Sequence, residues 1–555
     1  MVLGELKKLD SSKAPGSDNI SNAILKEGAE ALSDTITDLF NLSINNSFVP
    51  SQWKQSNIVM VPKTHNPQAT NDYRPIALTS SLCKVLEGII VRQIMLHTED
   101  IWKKNKQYGF LPGRCTMDAI FNAMDEWESA IDNKNTVHAV FFDFAKAFDL
   151  VDHEILLKKM ESLLPEWITS WVAQWLKDRK QRVKSDGSFS VWEIVIAGVI
   201  QGSVLGPILF LIFIIDINQE LPENAQLIKY ADDLLTYILF NNIDDDNSQE
   251  VVDRVEAWAK TNKMRLNVDK TKHMFVNNIN NIQSHITINN TPLEEVATFE
   301  YVGFHTNSDM NYNHQWDIVF KRTNKQIYLL KQLKRMGFRE ELLANIYISL
   351  TLSQYRYSSP FLAAASTQSK LEMEKQQLRF FNIIGITAAE AYSKYNIKPI
   401  VKFIDEQCVV SVTRMLKDPD HPITQKQQRK GREGTRSSQF VPTTCSTKRY
   451  ANSTLQATIR TIRDDGCKNK YTQPLRSECR SISYEIDTKQ QKRNAKPKRS
   501  PNTSSLASIV IPSEVNNMIA STTQKITERV NCPQCSADLS SGYLKQHLKK
   551  HCKGR

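Results

Sequence analysis

Two apolar stretches that run directly into aspartates constrain the fold of this 555-residue chain more than any other feature. Asp143 ends the run AVFFD, and Asp232 and Asp233 lie between the apolar arms Leu227–Tyr230 and Leu234–Phe240, a pattern typical of a hairpin. A carboxylate at the end of a buried strand is costly unless a cation balances it. Adjacent like charges at a tight turn repel each other, which favours a bound cation. The pattern therefore predicts buried strands whose ends present acids to a metal ion.

Oxygen ligands of this kind suit a hard divalent cation, Mg²⁺ or Mn²⁺. Two such ions can activate a hydroxyl nucleophile and stabilise a leaving oxygen during phosphoryl transfer. The alternative, for any one of the three aspartates, is an exposed acid that only ends a strand. The pattern alone leaves both interpretations open.

Residues 1–420 combine strand and helix patterns. Val137 to Phe142 is almost wholly apolar, which predicts a strand buried on both faces. Ser185 to Ser188 is a good hairpin turn, and Leu205 to Asn218 is typical of a buried helix. Beyond about Tyr312 the apolar spacing becomes helical. We therefore expect a mixed α/β region followed by a mostly helical one.

The basic charge of the chain is concentrated in its last part. Residues 421–555 contain 26 Lys and Arg against 9 Asp and Glu, whereas residues 1–420 contain 45 against 51. Ser, Thr, Gln, Lys and Arg dominate residues 421–527, which predicts a basic, mostly disordered linker with a polyanionic partner. The longest strongly apolar run, Val204 to Ile215, is too short to span a bilayer, so no membrane partner is expected.

Cysteines and histidines reappear together in residues 528–555. Cys532 and Cys535 have the spacing C-x2-C, and His547 and His551 follow four residues apart on one face of an expected helix. Two such pairs can form a closed tetrahedral Zn²⁺ site. Cys552 is an alternative fourth ligand to His551. The competing interpretation is a tail with free thiols and a helix.

Seven segments, in order along the chain, resemble motifs of reverse transcriptases from non-LTR retrotransposons of the jockey and LINE-like kind. Tyr230–Asp233 (YADD) looks like the signature hairpin of reverse transcriptases. The resemblance covers roughly residues 1–400, and its segments are SSKAPGSDNI (11–20), NDYRPIALTSSLCKVLE (71–87), QYGFLPGRCTMDAI (107–120), AVFFDFAKAFDLVDH (139–153), QGSVLGPILF (201–210), WAKTNKMRLNVDKTKHMF (258–275) and FEYVGF (299–304).

The resemblance implies an α/β (α+β) right-hand polymerase. Fingers and palm would occupy residues 1–310, a helical thumb-like region 311–420, the linker 421–527 and the zinc finger 528–555. It also implies an RNA-directed DNA polymerase that copies RNA into DNA by two-metal nucleotidyl transfer. Its partners would be an RNA template, a DNA primer or target, and dNTPs.

The resemblance also implies residue roles. Asp143, Asp232 and Asp233 would be the catalytic ligands of Mg²⁺. The other matched positions would bind the incoming dNTP: Lys63 and Arg74 on its triphosphate, Phe148 as a steric gate against the ribose 2′-hydroxyl, Gln201 and Gly202 on the nucleotide and template, and Lys270 near the leaving pyrophosphate as a possible general acid. Solvated loop charges at Lys63, Arg74 and Lys270, and a plain core ring at Phe148, are the alternatives.

Two departures from the family pattern stand out. Ile200 occupies a position where the family usually has Pro, and Met1 opens almost directly onto the first motif. We therefore expect no upstream endonuclease, and the chain would be either a truncated product or a polymerase that relies on another protein for nicking. Basic clusters at 492–493 and 496–499 suggest nuclear localisation, with further protein in the cytoplasm beside the element RNA. The rival functions are a catalytically idle RNA-binding derivative and an intron-type maturase, which the low basicity before residue 420 disfavours.

Overall fold

The computed structural model describes residues 1–185, 187–278, 282–362, 365–419, 421, 423–424, 455, 458–459, 529–531 and 538–540. Two compact units are present, Met1–Thr472 and Gln473–Arg555. None of the helices described is long and apolar enough to cross a membrane.

The described helices are α1 (Val2–Lys7), α2 (Asn22–Glu27), α3 (Ala29–Asn45), α4 (Ser81–His97), α5 (Glu99–Lys104), α6 (Thr116–Asp132), α7 (His153–Glu161), α8 (Glu166–Leu176), α9 (Gly206–Phe213), α10 (Ser248–Thr261), α11 (Asn313–Arg335), α12 (Glu340–Ile346), α13 (Leu352–Leu362), α14 (Thr367–Ile384), α15 (Ala388–Tyr395) and α16 (Ile400–Lys417). Short 3-10 segments occupy Ser51–Lys54, Thr70–Asp72, Ala147–Asp149, Ile215–Glu220 and Ile243–Asp245, and a π-helical turn, Tyr347–Thr351, joins α12 to α13.

The described strands are β1 (Gln55–Pro62), β2 (Tyr73–Leu78), β3 (Thr136–Phe142), β4 (Lys180–Ser185), β5 (Ser188–Phe189), β6 (Glu193–Ile194), β7 (Gln226–Tyr230), β8 (Asp233–Phe240), β9 (Lys272–Val276), β10 (Thr287–Ile288), β11 (Thr291–Pro292), β12 (Glu294–Glu295), β13 (Thr298–Tyr301), β14 (Phe304–Asn307), β15 (Arg529–Asn531) and β16 (Asp538–Ser540).

A five-stranded sheet in the order β12-β9-β3-β8-β7 forms the centre of the first unit. Every residue of β3 is buried, which confirms the prediction from its apolar run. Phe141 packs in one core with Trp127 of α6, at 6.5 Å between ring centroids, and Phe142 packs in a second core with the residues of α9. Helices therefore cover both faces of β3, which explains why its sequence does not alternate.

A second sheet has the order β2-β1-β4-β5, with β6 also paired to β4. β1 is antiparallel to β2 and parallel to β4. Ser185 pairs with Ser188, so the predicted hairpin is confirmed, although its second arm is short. The helix expected over 205–218 is α9 followed by a 3-10 segment. Pro207 in its first turn suits this start, because its fixed φ fits a helix and its missing N–H has no partner there.

The chain becomes helical from Asn313 onward, as the apolar spacing beyond Tyr312 predicts. The core of this part includes a stack of Tyr347 on Phe380, with 3.9 Å between ring centroids.

The first unit extends to Thr472, so it includes part of the segment expected to be a linker. The domain bounds expected from the sequence stay a prediction. Ile423, Leu455 and Ile459 are buried in the core that contains Val412 of α16. These apolar residues are isolated within a polar segment, so periodicity could not reveal them. The remaining residues of the expected linker lie outside the described part of the chain.

In the second unit the structure describes an antiparallel pair, with Arg529 opposite Ser540 and Asn531 opposite Asp538. The expected zinc ligands lie outside the described residues: Cys532, Cys535, His547, His551 and Cys552.

Two buried histidines connect β3 and β9 behind the central sheet. Nδ1 of His138 lies 2.7 Å from Oδ2 of Asp246, and its Nε2 lies 3.1 Å from Nδ1 of His273. Burial lowers the pKa of His273 to about 4, and the neighbouring His138 adds to this effect. His273 is therefore neutral in the folded protein at neutral pH.

We expect the free energy of unfolding to fall as the pH drops from about 6.5 to about 4. The unfolded chain protonates His273 in this range and the folded chain does not, a difference worth up to about 3 kcal/mol. Urea unfolding at pH 4.5–7.5 should show a shallower pH slope in His273→Gln than in the wild type. His421, whose pKa burial also lowers to about 4, supplies part of the remaining slope. Equal slopes in the two proteins would contradict this assignment.

Candidate functional site

Strand pairing brings the three predicted acids to one edge of the central sheet. The register of β3 with β8 ends at Phe142 opposite Leu234, one residue from both Asp143 and Asp233. Asp232 occupies the turn that precedes β8. The three aspartates therefore lie at the same edge although Asp143 is far from the other two in the sequence. Antiparallel pairing places the end of one strand beside the start of the other.

Backbone contacts hold Asp143 in place. Its N–H donates to Oγ1 of Thr271 at 3.3 Å, and its carbonyl accepts from the N–H of Asn267 at 2.8 Å. Nζ of Lys270 lies 3.7 Å from Oδ2 of the same aspartate. The loop before β9 thus orients Asp143 and supplies a nearby cation.

Mutual repulsion marks the electrostatics of this edge. Burial raises the pKa of Asp232, and the charge of Asp143 raises it further, whereas Arg74 and Lys270 oppose the rise. Asp233 is exposed as a residue, but the protein around its carboxyl group excludes enough water to raise its pKa to about 6, and the charges of Asp232 and Asp143 contribute. Each shift expresses the cost of keeping these acids ionised side by side.

The donor chemistry fits a divalent cation. Three carboxylates that repel one another lower their free energy by sharing a positive charge, and their oxygens are the ligands that Mg²⁺ prefers. Within the described ranges, no three His, Cys, Asp or Glu side chains are grouped as a ready metal cage. The match between the three aspartates and Mg²⁺ is therefore one of donor chemistry.

The predicted phosphate-binding cations lie on the hairpin of β1 and β2. Both Lys63 and Arg74 are exposed, and Nζ of Lys63 donates to the carbonyl of Asn71 at 2.9 Å. Arg74 acts electrostatically on Asp232, whereas Lys63 acts on Asp149, beside the predicted gate. The structure thus brings Arg74 and Lys270 towards the acids and Lys63 towards the gate.

The predicted gate, Phe148, is partly buried between two other rings. It stacks on Phe210, with 4.5 Å between centroids and 15° between planes, and meets the edge of Phe110 at 6.0 Å. Packing on Phe210 fixes one face of the ring. The ring is packed on Phe210 and still partly exposed, so this geometry is compatible both with a core ring and with a steric gate.

Gln201 and Gly202 pack against β2. The carbonyl of Gln201 accepts from the N–H of Ala77 at 2.7 Å, and its Nε2 donates to Oδ1 of Asp149 at 3.2 Å. Gly202 has φ of +111°, and a Cβ there would stand 2.6 Å from the carbonyl oxygen of Ala77. Only glycine allows this close approach. A groove of about 450 Å³, lined in part by Met60, Asp149 and Gln201, borders this contact.

Sequence reasoning missed Gln107, which supports the turn of the acidic hairpin. Its buried Oε1 accepts from the N–H of Gly109 at 2.8 Å and from that of Ala231 at 2.9 Å. A Cβ on Gly109 would lie 2.5 Å from the nitrogen of Ala231. Ala231 has φ of +55°, an uncommon backbone for a residue with a side chain. Gln107 is the first residue of the segment QYGFLPGR. No local spacing could identify Ala231, 124 residues away, as its hydrogen-bond partner.

Comparison with known proteins identifies the class of this site. Residues 61–306 match the family described as reverse transcriptase (RNA-dependent DNA polymerase). This segment is therefore similar to reverse transcriptase domains, and it contains all nine predicted polymerase-site residues.

The chain resembles RNA-directed DNA polymerases of non-LTR retrotransposons. It is 26% identical over 388 residues to the probable RNA-directed DNA polymerase from transposon BS of Drosophila melanogaster, covering 67% of this chain and 43% of that protein. It is 31% identical over 309 residues to the RNA-directed DNA polymerase from mobile element jockey of Drosophila funebris, covering 54% of this chain and 34% of the relative. The chain thus spans less than half the length of these curated relatives.

Among solved structures, a telomerase from Candida tropicalis in complex with a fragment of telomeric RNA aligns with a TM-score of 0.37 and 14% identity. The alignment covers 74% of this chain and 68% of that one.

We expect Gln107→Met to loosen the acidic turn. The substitution keeps the volume but leaves the buried N–H groups of Gly109 and Ala231 without an acceptor, which costs about 1–3 kcal/mol each. Hydrogen exchange at Ala231 should accelerate, and the unfolding temperature should fall. Gln368→Met, at an exposed position of α14, is the matched control. Unchanged exchange at Ala231 would contradict the role assigned to Gln107.

Proposed function

We propose that this protein is an RNA-directed DNA polymerase of a non-LTR retrotransposon, which extends a DNA primer along an RNA template. The convergence of Asp143, Asp232 and Asp233 at one sheet edge carries the proposal. The reverse transcriptase match over residues 61–306 supports it.

The three aspartates would hold two Mg²⁺ ions, which when bound would activate the primer 3′-hydroxyl and stabilise the leaving oxygen. Arg74 and Lys63 would bind the triphosphate of the incoming dNTP. Phe148 would block a ribose 2′-hydroxyl, and Gln201 and Gly202 would contact the nucleotide. Lys270, 3.7 Å from Asp143, would protonate or neutralise the departing pyrophosphate.

This function implies a right-hand architecture. The central sheet would be the palm, the β1–β2 sheet and its helices the fingers, and α11–α16 the thumb. Three exposed basic residues support the assignment of the thumb. Lys321, Arg322 and Lys325 lie within little more than one turn of α11.

The second unit would contain a zinc finger that contacts nucleic acid. In the sequence Cys532 and Cys535 fall between the paired strands β15 and β16, and a C-x2-C pair suits a tetrahedral Zn²⁺ completed by His547 and by His551 or Cys552. Zinc analysis of the purified protein and of Cys532→Ser tests this part, since equal zinc content would contradict it. The proposal also includes nuclear localisation, which microscopy tests. It includes a separate endonuclease as a partner, which co-purification tests.

Replacement of Asp232 by Asn should abolish primer extension on an RNA template and leave RNA affinity within a few-fold. An amide carries no charge and is a poor ligand for Mg²⁺. The assay compares purified wild type, Asp232→Asn and the control Asp253→Asn, which removes an exposed acid of α10. Extension by Asp232→Asn at the wild-type rate would contradict the metal assignment. A wild type that binds RNA but never extends a primer would instead support the idle derivative.

Replacement of Phe148 by Ala should admit ribonucleotides, because it removes the ring that would block the ribose 2′-hydroxyl. We expect the preference for dNTP over rNTP, measured as the ratio of kcat/KM values, to fall by at least about tenfold. Phe189→Ala, which removes an exposed ring from β5, should leave the ratio unchanged. A mutant that extends with dNTPs and still rejects rNTPs would exclude Phe148 as the gate.

A further inference from the structure

A buried glutamate, Glu87 of α4, lies behind the nucleotide-contacting loop and belongs to no part of the mechanism above. It is fully buried. Its Oε2 accepts from the backbone N–H of Val204 at 2.7 Å and of Leu205 at 3.2 Å. Both residues directly precede α9, so the carboxylate lies at the N-terminal end of that helix, where its charge is stabilised.

The other carboxylate oxygen is engaged by two further donors. Oε1 accepts from Nε1 of Trp175 at 3.1 Å and from Sγ of Cys83 at 3.3 Å. The guanidinium of Arg179 stacks over the same indole at 4.4 Å and is itself buried, which lowers its pKa, while the charge of Glu87 opposes that shift. Glu87 is thus a buried carboxyl group with hydrogen bonds to both oxygens, and the buried guanidinium of Arg179 packs on the indole that donates to one of them.

The loop from Gln201 to Ser203 is hydrogen-bonded at both ends to one continuous stretch of chain, β2 and the following α4. At one end, the carbonyl of Gln201 accepts from Ala77 of β2. At the other, Glu87 of α4 holds Val204 and Leu205. β2 also carries Arg74, so Glu87 helps fix the distance between the cation on the triphosphate and the loop on the nucleotide.

We propose that Glu87 is a positioning residue for the incoming dNTP: it holds the loop of Gln201 and Gly202 in its binding conformation by accepting both backbone N–H groups in front of α9. This inference rests on the proposed polymerase function, but its structural core, the anchoring of residues 200–206, is measurable without catalysis.

Glutamine cannot replace Glu87, because both carboxylate oxygens accept hydrogen bonds from donors. An amide at this position must turn its NH2 group either towards the N–H groups of Val204 and Leu205 or towards the indole N–H of Trp175. In either orientation two donors face each other in a buried site. Removing the indole N–H with Trp175→Phe frees one side, so that the glutamine oxygen can face Val204 and Leu205.

The experiment compares wild type, Glu87→Gln, Trp175→Phe and the double variant. Steady-state extension gives kcat and KM for dNTP, and complexes with a dideoxy-terminated primer on RNA give the dNTP dissociation constant without chemistry. We expect Glu87→Gln to raise KM and the dissociation constant for dNTP about tenfold. A change of this size corresponds to a loop that adopts its binding conformation in about one tenth of the molecules. Trp175→Phe alone should remain within about twofold, and the double variant should return to within about threefold.

Hydrogen exchange of residues 200–206 provides the readout that is independent of activity. It should accelerate in Glu87→Gln and recover in the double variant. Unchanged exchange in a folded Glu87→Gln protein, or a rise in KM in Trp175→Phe as large as that in Glu87→Gln, would overturn the positioning role. A wild type that fails to extend primers while showing the expected exchange pattern would overturn the proposed function instead.

Discussion

Pairing of β3 with β8 is the interaction on which the rest of the site depends. It places Asp143 beside the turn that carries Asp232 and Asp233, and it does so in the middle of a sheet covered on both faces. Burial raises the pKa of Asp232 and of Asp233, and the charge of Asp143 raises both further, so ionising these acids carries an electrostatic cost that a divalent cation would relieve. Burial of β3 on both faces holds the end of the strand in place, and the nearby Arg74 and Lys270 offset part of the repulsion.

A second set of contacts fixes the surroundings of the acids from a distance. Gln107 holds the acidic turn, Thr271 and Asn267 hold Asp143, and Glu87 holds the start of α9. In each case a group from an element remote in sequence forms a hydrogen bond with a backbone N–H or carbonyl. The loop that receives this bond contains a predicted site residue or directly follows one. Loops fixed in this way are held in place without regular secondary structure, which would suit the proposed role of orienting a nucleotide within a fraction of an ångström.

The sequence predicted the elements that carry the acids because their signals are local. The run ending at Phe142 and the arms around Asp232 are short, apolar and bounded, and the structure confirms both. Gln107 and Glu87 could not be assigned, because their hydrogen-bond partners lie 124 and 117 residues further along the chain. The burial of Ile423, Leu455 and Ile459 could not be predicted for a different reason: they are single apolar residues whose burial depends on a surface formed elsewhere.

The order of the central sheet has a consequence for synthesis of the chain on the ribosome. β3 is the first of its five strands to emerge, but its two neighbours, β8 and β9, follow about 100 and 135 residues later. At about 5–20 residues per second, its seven apolar-rich residues stay without strand partners for several seconds at least. An unpaired strand of this kind is prone to intermolecular association. Early collapse onto α6, which is made just before it, is the protection that the nascent chain itself can offer.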